Sequence, residues 1–492
     1  MKRMTKRIFA LCLTAALLCA ALCLPVCAAP AGGGETGAVC PLVIARGMDF
    51  NRLYTNYGTP AQQPLFHGVT AAGVLKTLTA AVKNAGREGF NHALAMAAVD
   101  YAREILGDMA CDRAGNSVLD VGYAKYNCSV ADSPELQTLL KESTSQEEAL
   151  VRSAAEALGA ENVYFFTYDY RLDPYTQAEA LRDLIDLART EHGTEKVDLI
   201  NCSMAGVITD CYLARYGGSA LRKCVFLSST FCGTNVATEV LRGDVQTDGA
   251  FLQRYIAQMT GNALLGKFLK ATGLLDLAAR WFNGFVESEK AYIYAEFLRD
   301  AFGTMLSFWA NVQPDAVDDC IHMIFPDAAL RAEYAPLIEK IRRLQGIMEN
   351  RNDLLLSLPA QGVDVTVIAG YNSAPIPLYP SAAEQTDAIL DSRWMLGCAD
   401  VSPLDGRLSA AGERVSPDGC VDLTNALFPA DTWAIKNAGH VPTAHGSDCT
   451  ALVLSILQYA GDANVACFEK FPQFFTVDGK TKNIVSDRSP VC

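Results

Sequence analysis

The chain has no surplus of basic residues. Its 41 Lys+Arg are set against 55 Asp+Glu, for a formal net charge of −14 over 492 residues. No broad basic patch is present to neutralise phosphates, which argues against a nucleic-acid partner. The 17 cysteines contain no C-x-x-C pair and no Cys/His cluster at zinc-finger spacing, so neither a metal nor another cofactor is expected. No internal repeat or low-complexity block interrupts the sequence. After the first thirty residues, no apolar run is long enough to span a bilayer. What remains is half hydrophobic and one fifth charged, the composition of a globular chain.

The N-terminus reads as a targeting segment. MKRMTKR is a positive n-region, IFALCLTAALLCAALCL an apolar h-region, and VCAAP a small-residue cleavage site near Ala28 or Ala29. Residues 1–28 are therefore expected to be a signal peptide, and the mature protein to be secreted or at the cell surface. Export permits disulfides. Four cysteines (Cys12, Cys19, Cys23, Cys27) lie in the leader, which leaves an odd number. Cys202, Cys211 and Cys224 fall in segments patterned as core, so candidate bridges come from Cys111, Cys128, Cys398, Cys420 and Cys492.

The rest alternates between two periods. CPLVIARGMDF reads as a buried strand broken by Gly47, and ENVYFFTYDYR as a buried aromatic strand. QAEALRDLIDLARTEHG is an amphipathic helix stopping near Gly193. KVDLINC, MAGVITDCYLARYGG and LRKCVFLSST repeat strand, helix, strand. Such alternation predicts an α/β fold, a mostly parallel sheet with helices on both faces. From about 249 to 355 only helical periodicity is found. GVDVTVIAGY and DTWAIKNAG then restore strands, and CTALVLSILQYAG gives a final helix. The expected domains are a sheet core over 39–248, a helical lid or cap insertion over 249–358, a second core part over 359–461, and a tail of weak pattern over 462–492.

One short stretch carries chemistry. DLINCSMAG runs from a buried strand into a tight turn with Ser203 at its tip. A nucleophile elbow, G-x-S-x-G, needs small residues two before and two after the serine. Here Asn201 and Ala205 hold those places, and Gly206 follows. Ala205 is small, and Asn tolerates unusual backbone angles. The alternative reading is an N-cap serine. An activated serine also needs a base and a group to orient it. Three histidines follow Ser203. His322 lies in the helical insertion and reads as packing. His440, in AGHVP after a strand, is the candidate base, with His445 as fallback. For the acid, SPDGCVD offers Asp418 and Asp422, with Asp400 and Asp405 as rivals.

These stretches resemble the α/β-hydrolase lipases and esterases related to lecithin–cholesterol acyltransferase. PLVIARGMDF is similar to the strand and oxyanion turn those enzymes write as P-V-V-x-V-P-G or H-G. YFFTYDYR is similar to their Y-D-W-R segment, and DLINCSMAGVITDCYLARYG to L-V-G-H-S-M-G-G and the helix after it. FLSSTFCGT stands where they have a strand and G-T-P-H-x-G, and SPDGCVD resembles their G-D-G-T-V acid turn. The resemblance implies Asp418 as the acid and the backbone N–H groups of Met48 and Met204 as the oxyanion hole. It also implies a lid at the position of the insertion. Arg46, Asn201 and Cys202 depart from the family pattern without removing a catalytic side chain. Arg46 is expected to pair with Asp169 or Asp49.

The expected function is that of a secreted serine hydrolase cleaving carboxylic esters through Ser203, His440 and Asp418. The substrate would be a small-molecule or lipid ester, with peripheral contact to lipid surfaces. Two alternatives remain open in the sequence: an acyltransferase using the same residues, and an α/β-hydrolase-fold binding protein without turnover.

Overall fold

Short runs of β-branched and aromatic residues build the sheet of this computed structural model. It describes residues 40–143, 145–410, 412–441, 447–477 and 484–486. The leader, His445 and Cys492 lie outside the described residues. Six strands are almost wholly buried: β1 (Leu42–Ala45), β2 (Val163–Phe166), β3 (Val197–Cys202), β4 (Leu221–Leu227), β5 (Asp364–Tyr371) and β6 (Thr432–Lys436). Strands covered on both faces read this way. β7 (Phe474–Val477) and β8 (Ile484–Ser486) complete an eight-stranded sheet in the order β2-β1-β3-β4-β5-β6-β7-β8. All pairings are parallel except β7 with β8 at the edge. The tail expected to have weak pattern thus supplies two strands. Phe475 is fully buried, and isolated aromatic residues over so short a span leave no legible alternation.

Side chains alternate between the two faces of the sheet. Val43, Ala45, Leu199 and Phe226 enter one core with α4 (Pro174–His192) and α5 (Ala205–Tyr216). Leu42, Ile44, Ile200 and Val225 enter the other with α3 (Gln146–Leu158) and α10 (Ser447–Gln458). The result is an α/β architecture with helices on both faces. α4 shows why the helices start and stop where they do. Asp173 accepts the Tyr175 N–H at its start, Pro174 occupies its first position, and Gly193 at φ 62° ends it.

Between β4 and β5 the chain leaves the sheet for a run of helices. It includes α6 (Asn235–Arg242), α7 (Gly249–Thr260), α8 (Ala263–Ala271) and α9 (Leu274–Ile293). Trp281 and Phe285 of α9 stack on each other and pack against Ala81, Leu94 and Ala97. Those three residues belong to the helical pair α1 (Ala71–Glu88) and α2 (Phe90–Leu106). The outer surface of this helical region keeps apolar side chains in the open, notably Leu264 at 78% and Phe268 at 65% exposure. Among the described residues no helix is long and apolar enough to cross a membrane.

Chain direction across the sheet reverses at β1. From β1 the chain next enters the sheet at β2 on one side, then at β3 on the other. In parallel sheets the crevice at the carboxyl ends of such strands is where ligands bind. The turn after β1 carries Gly47, and the turn after β3 carries Ser203.

Candidate active site

β3 ends at Cys202, and Ser203 turns the chain with φ 51°, a left-handed conformation that is uncommon outside glycine. α5 starts two residues later. This is the sharp strand-to-helix turn that an exposed nucleophile requires. Asn201 does not occupy the strained position. It lies within β3, paired with Ala45 on one side and Phe226 on the other. Its side-chain amide donates to the Val225 carbonyl at 3.1 Å. Gly206 is the position with no room. A Cβ there would lie 2.7 Å from the Ser229 Cβ and 2.9 Å from its Oγ. The close approach falls at Gly206, and Asn201 fits because it sits in regular strand with its side chain bonded to the neighbouring strand.

His440 reaches Ser203 from the loop after β6. Its Nε2 lies 2.7 Å from Ser203 Oγ, and its Nδ1 lies 2.6 Å from Asp387 Oδ2. Asp387 is fully buried, and its other oxygen accepts the N–H groups of Ile389 at 3.0 Å and Leu390 at 2.8 Å. Gly370, near the end of β5, makes this approach possible. A Cβ there would come within 2.4 Å of the Ala438 carbonyl oxygen and 3.1 Å of the Asp387 Cβ. Strained backbone gathers around the group: Ser203 itself, Ala388 at φ 83° and Val441 at φ 53°. For β-branched Val441 that angle is costly, and it is held by its N–H donating to Ser228 Oγ at 3.2 Å.

Asp418, expected as the acid, is not on His440. Ser416 Oγ donates to its Oδ1 at 2.6 Å, the Cys420 N–H also reaches Oδ1 at 3.1 Å, and Lys436 Nζ stands 3.0 Å from its Oδ2. Burial pushes its carboxyl up, but Ser416, Lys436 and the Cys420 N–H together hold it below the usual range. It organises its own Asp-Gly turn. Its rivals are also engaged elsewhere. Asp422 accepts Thr424, Asp405 accepts Arg254 at 2.6 Å, and Asp400 is exposed. Asp387 comes after β5 in the segment EQTDAIL, with no turn glycine to mark it. The usable signal was position: an acid in the loop leaving the strand before the histidine's strand. His322 is exposed and bonded to the Asp318 carbonyl rather than packed.

The turn after β1 lies directly against the serine. A Cβ on Gly47 would be 2.8 Å from the Ser203 Cβ and 3.3 Å from the Cys202 carbonyl oxygen. Met48 follows it, and Met204 stands at the N-terminal end of α5. Among the described residues neither the Met48 nor the Met204 N–H is hydrogen-bonded to another protein group. Free N–H groups at a helix start carry partial positive charge.

Sequence reasoning passed over Glu147, near the start of α3. Its Oε1 accepts the Gly47 N–H at 2.8 Å, fixing the turn beside Ser203. Burial pushes its carboxyl up to about 7 despite the nearby Arg46. Its charge also acts on His440. Burial alone would lower the imidazole, but Asp387, with a smaller push from Glu147, holds it above its ordinary value. Arg46 pairs with Asp49 and lies close to Glu147 and Glu148. Asp169, its other expected partner, is taken by Arg171 at 2.6 Å. A cleft of about 540 Å³ opens at Arg46 and Gly47, walled by Tyr54, Tyr57, Tyr123, Tyr126, Tyr168 and Tyr170.

Among the described residues no group of three or more His, Cys, Asp or Glu side chains is arranged to hold a metal ion. The arrangement present is a hydroxyl, an imidazole and a carboxylate in a line. It can deprotonate the serine as it attacks an acyl carbon. Comparison with protein-family models and with curated proteins finds no match to this chain.

Proposed function

We propose that the protein is a secreted serine hydrolase of the α/β-hydrolase type that cleaves carboxylic esters. The observation that carries this reading is the unbroken line Ser203 Oγ, His440, Asp387, with contacts of 2.7 and 2.6 Å. The chain order serine, aspartate, histidine is the one α/β-hydrolases use, and the strained turn at Ser203 supports the same assignment.

Ser203 Oγ attacks the ester carbonyl while His440 Nε2 takes its proton. Asp387 accepts the Nδ1–H, which fixes the tautomer and stabilises the imidazolium that forms. The Met48 and Met204 N–H groups receive the developing oxyanion, a contribution of about 3–4 kcal/mol per donor in such sites. The tetrahedral intermediate then expels the alcohol, which takes its proton from His440. Water, activated by the same imidazole, releases the acid from Ser203.

The helices between β4 and β5 are read as a lid or cap. Exposed Leu264 and Phe268 on α8 support contact with a lipid ester or its surface. The tyrosine-walled cleft is mixed in character and suits the alcohol portion better than a long acyl chain. Secretion rests on the N-terminal sequence.

Hydrolysis of p-nitrophenyl esters of graded chain length tests the reading. Wild type is expected to turn over medium-chain esters, and Ser203→Ala to lose that turnover. Equal rates in the two proteins would overturn it, and a preference confined to acetate would overturn the lipid-ester part.

A further inference from the structure

The loop after β4 and the segment after the short helix Ser392–Met395 bring two cysteines together. Cys232 Sγ lies 2.8 Å from Cys398 Sγ, well inside the non-bonded contact distance of two sulfur atoms. No other sulfur–sulfur contact occurs among the described cysteines. The two backbones are already tied next to the pair. Phe231 N–H donates to the Trp394 carbonyl at 2.9 Å, and the Asn235 N–H and side-chain amide reach Asp391 at 2.8 and 3.0 Å. Trp394 Nε1 donates to Asn235 at 3.1 Å. Gly397 and Cys398 both hold left-handed backbone, at φ 70° and 64°, which turns the chain sharply at this point.

We propose that Cys232 and Cys398 form a disulfide, a cross-link between the loop leaving β4 and the segment that carries Asp387. The pair is half-buried and reachable by a small oxidant, unlike fully buried Cys202, Cys211 and Cys224. Hydrogen bonding with Cys398 lowers Cys232, helped by the Arg351 guanidinium, so Cys232 is the attacking thiolate. With glutathione disulfide as oxidant, Cys232 Sγ bonds to one glutathione sulfur and expels the other as a thiolate. Cys398 Sγ, losing its proton, then attacks Cys232 Sγ and expels the second glutathione. One protein S–S bond forms, one glutathione S–S bond breaks, and two electrons pass to glutathione.

The bridge would close a loop of 166 residues in sequence separation, a length at which cross-linking restricts the unfolded chain strongly. Its location gives it a second effect. The segment between β5 and β6 holds Asp387 on a path outside the sheet, and the bridge pins that path to the end of β4.

The test uses the full-length wild-type protein. It is equilibrated with glutathione disulfide, its free thiols are alkylated, and it is digested without reduction and mapped by mass. The expected product is one peptide pair joined through Cys232 and Cys398, with two fewer alkylated thiols than the protein reduced by dithiothreitol. Reduction is expected to lower Tm in wild type and to leave Tm of Cys232→Ser and Cys398→Ser unchanged. Full alkylation of both cysteines in the oxidised wild type would overturn the proposal, as would their linkage to other cysteines. The wild-type map decides the matter even if a serine variant fails to fold.

Discussion

Asp387 Oδ2 lies 2.6 Å from His440 Nδ1, while Asp418 is bound to Ser416 and Lys436. The two aspartates therefore separate by what they contact. Asp387→Asn keeps the side-chain shape but supplies the wrong hydrogen-bond partner, and is expected to lower kcat by about 10³–10⁴-fold with Tm nearly preserved. Asp418→Asn removes a local turn anchor and is expected to change kcat less than about 10-fold. Steady-state ester hydrolysis on both variants checks this, and the reverse ranking would return the acid role to Asp418.

The pH profile follows from two raised groups. His440 works as a base only when neutral, and its folded value lies above the ordinary one. The acid limb of kcat/KM is therefore expected above pH 6.5, the usual imidazole midpoint. Glu147, pushed up to about 7, adds negative charge as pH rises and helps hold the imidazole up. Glu147→Gln removes that charge, so the acid limb is expected to move down in pH. An upward shift would contradict the action of the Glu147 charge on His440.

The same glutamate bears on stability. Its carboxyl binds a proton more tightly folded than unfolded, so stability falls as pH rises from the ordinary carboxylate range through about 7. Glu147→Gln is expected to lose that dependence, making the variant relatively more stable at pH 8 than at pH 5 by comparison with wild type. Thermal unfolding at the two pH values checks it.

Gly47 and Gly86 form a matched pair of glycines. At Gly47 a Cβ would meet the Ser203 Cβ at 2.8 Å and Glu147 Oε1 at 2.9 Å, whereas at Gly86 it would meet nothing within 4 Å. Gly47→Ala is expected to displace the turn beside the serine and lower kcat by about 100-fold. Gly86→Ala, in helix α1, is expected to raise stability by about 0.5–1 kcal/mol without touching kcat. Parallel rate and unfolding measurements separate the two effects.

Much of the sheet was legible because its strands are short, buried and bounded by helices with clear stops. Gly193 is an example. The meeting of Ser203 with His440 was legible as well, since Ser203 comes one residue after β3, His440 four residues after β6, and the chain offers few histidines. Asp387 was not. It lies far along an irregular excursion, while Asp418 stands before a glycine in a turn whose purpose is its own hydrogen bonding. Glu147 was hidden for a different reason. Its bond to the Gly47 N–H spans 100 residues and leaves no trace in local pattern. Cys398 was visible as a loop cysteine, but its neighbour Cys232 depends on two loops meeting across 166 positions.

The central claim is that Ser203 is an activated nucleophile. Incubating the folded protein with a fluorophosphonate probe and mapping the modified peptide tests it most directly. The account expects a single phosphonylated residue, Ser203, with labelling lost in Ser203→Ala and slowed in His440→Ala and Asp387→Asn. No labelling of wild type, or equal labelling of wild type and Ser203→Ala, would contradict it.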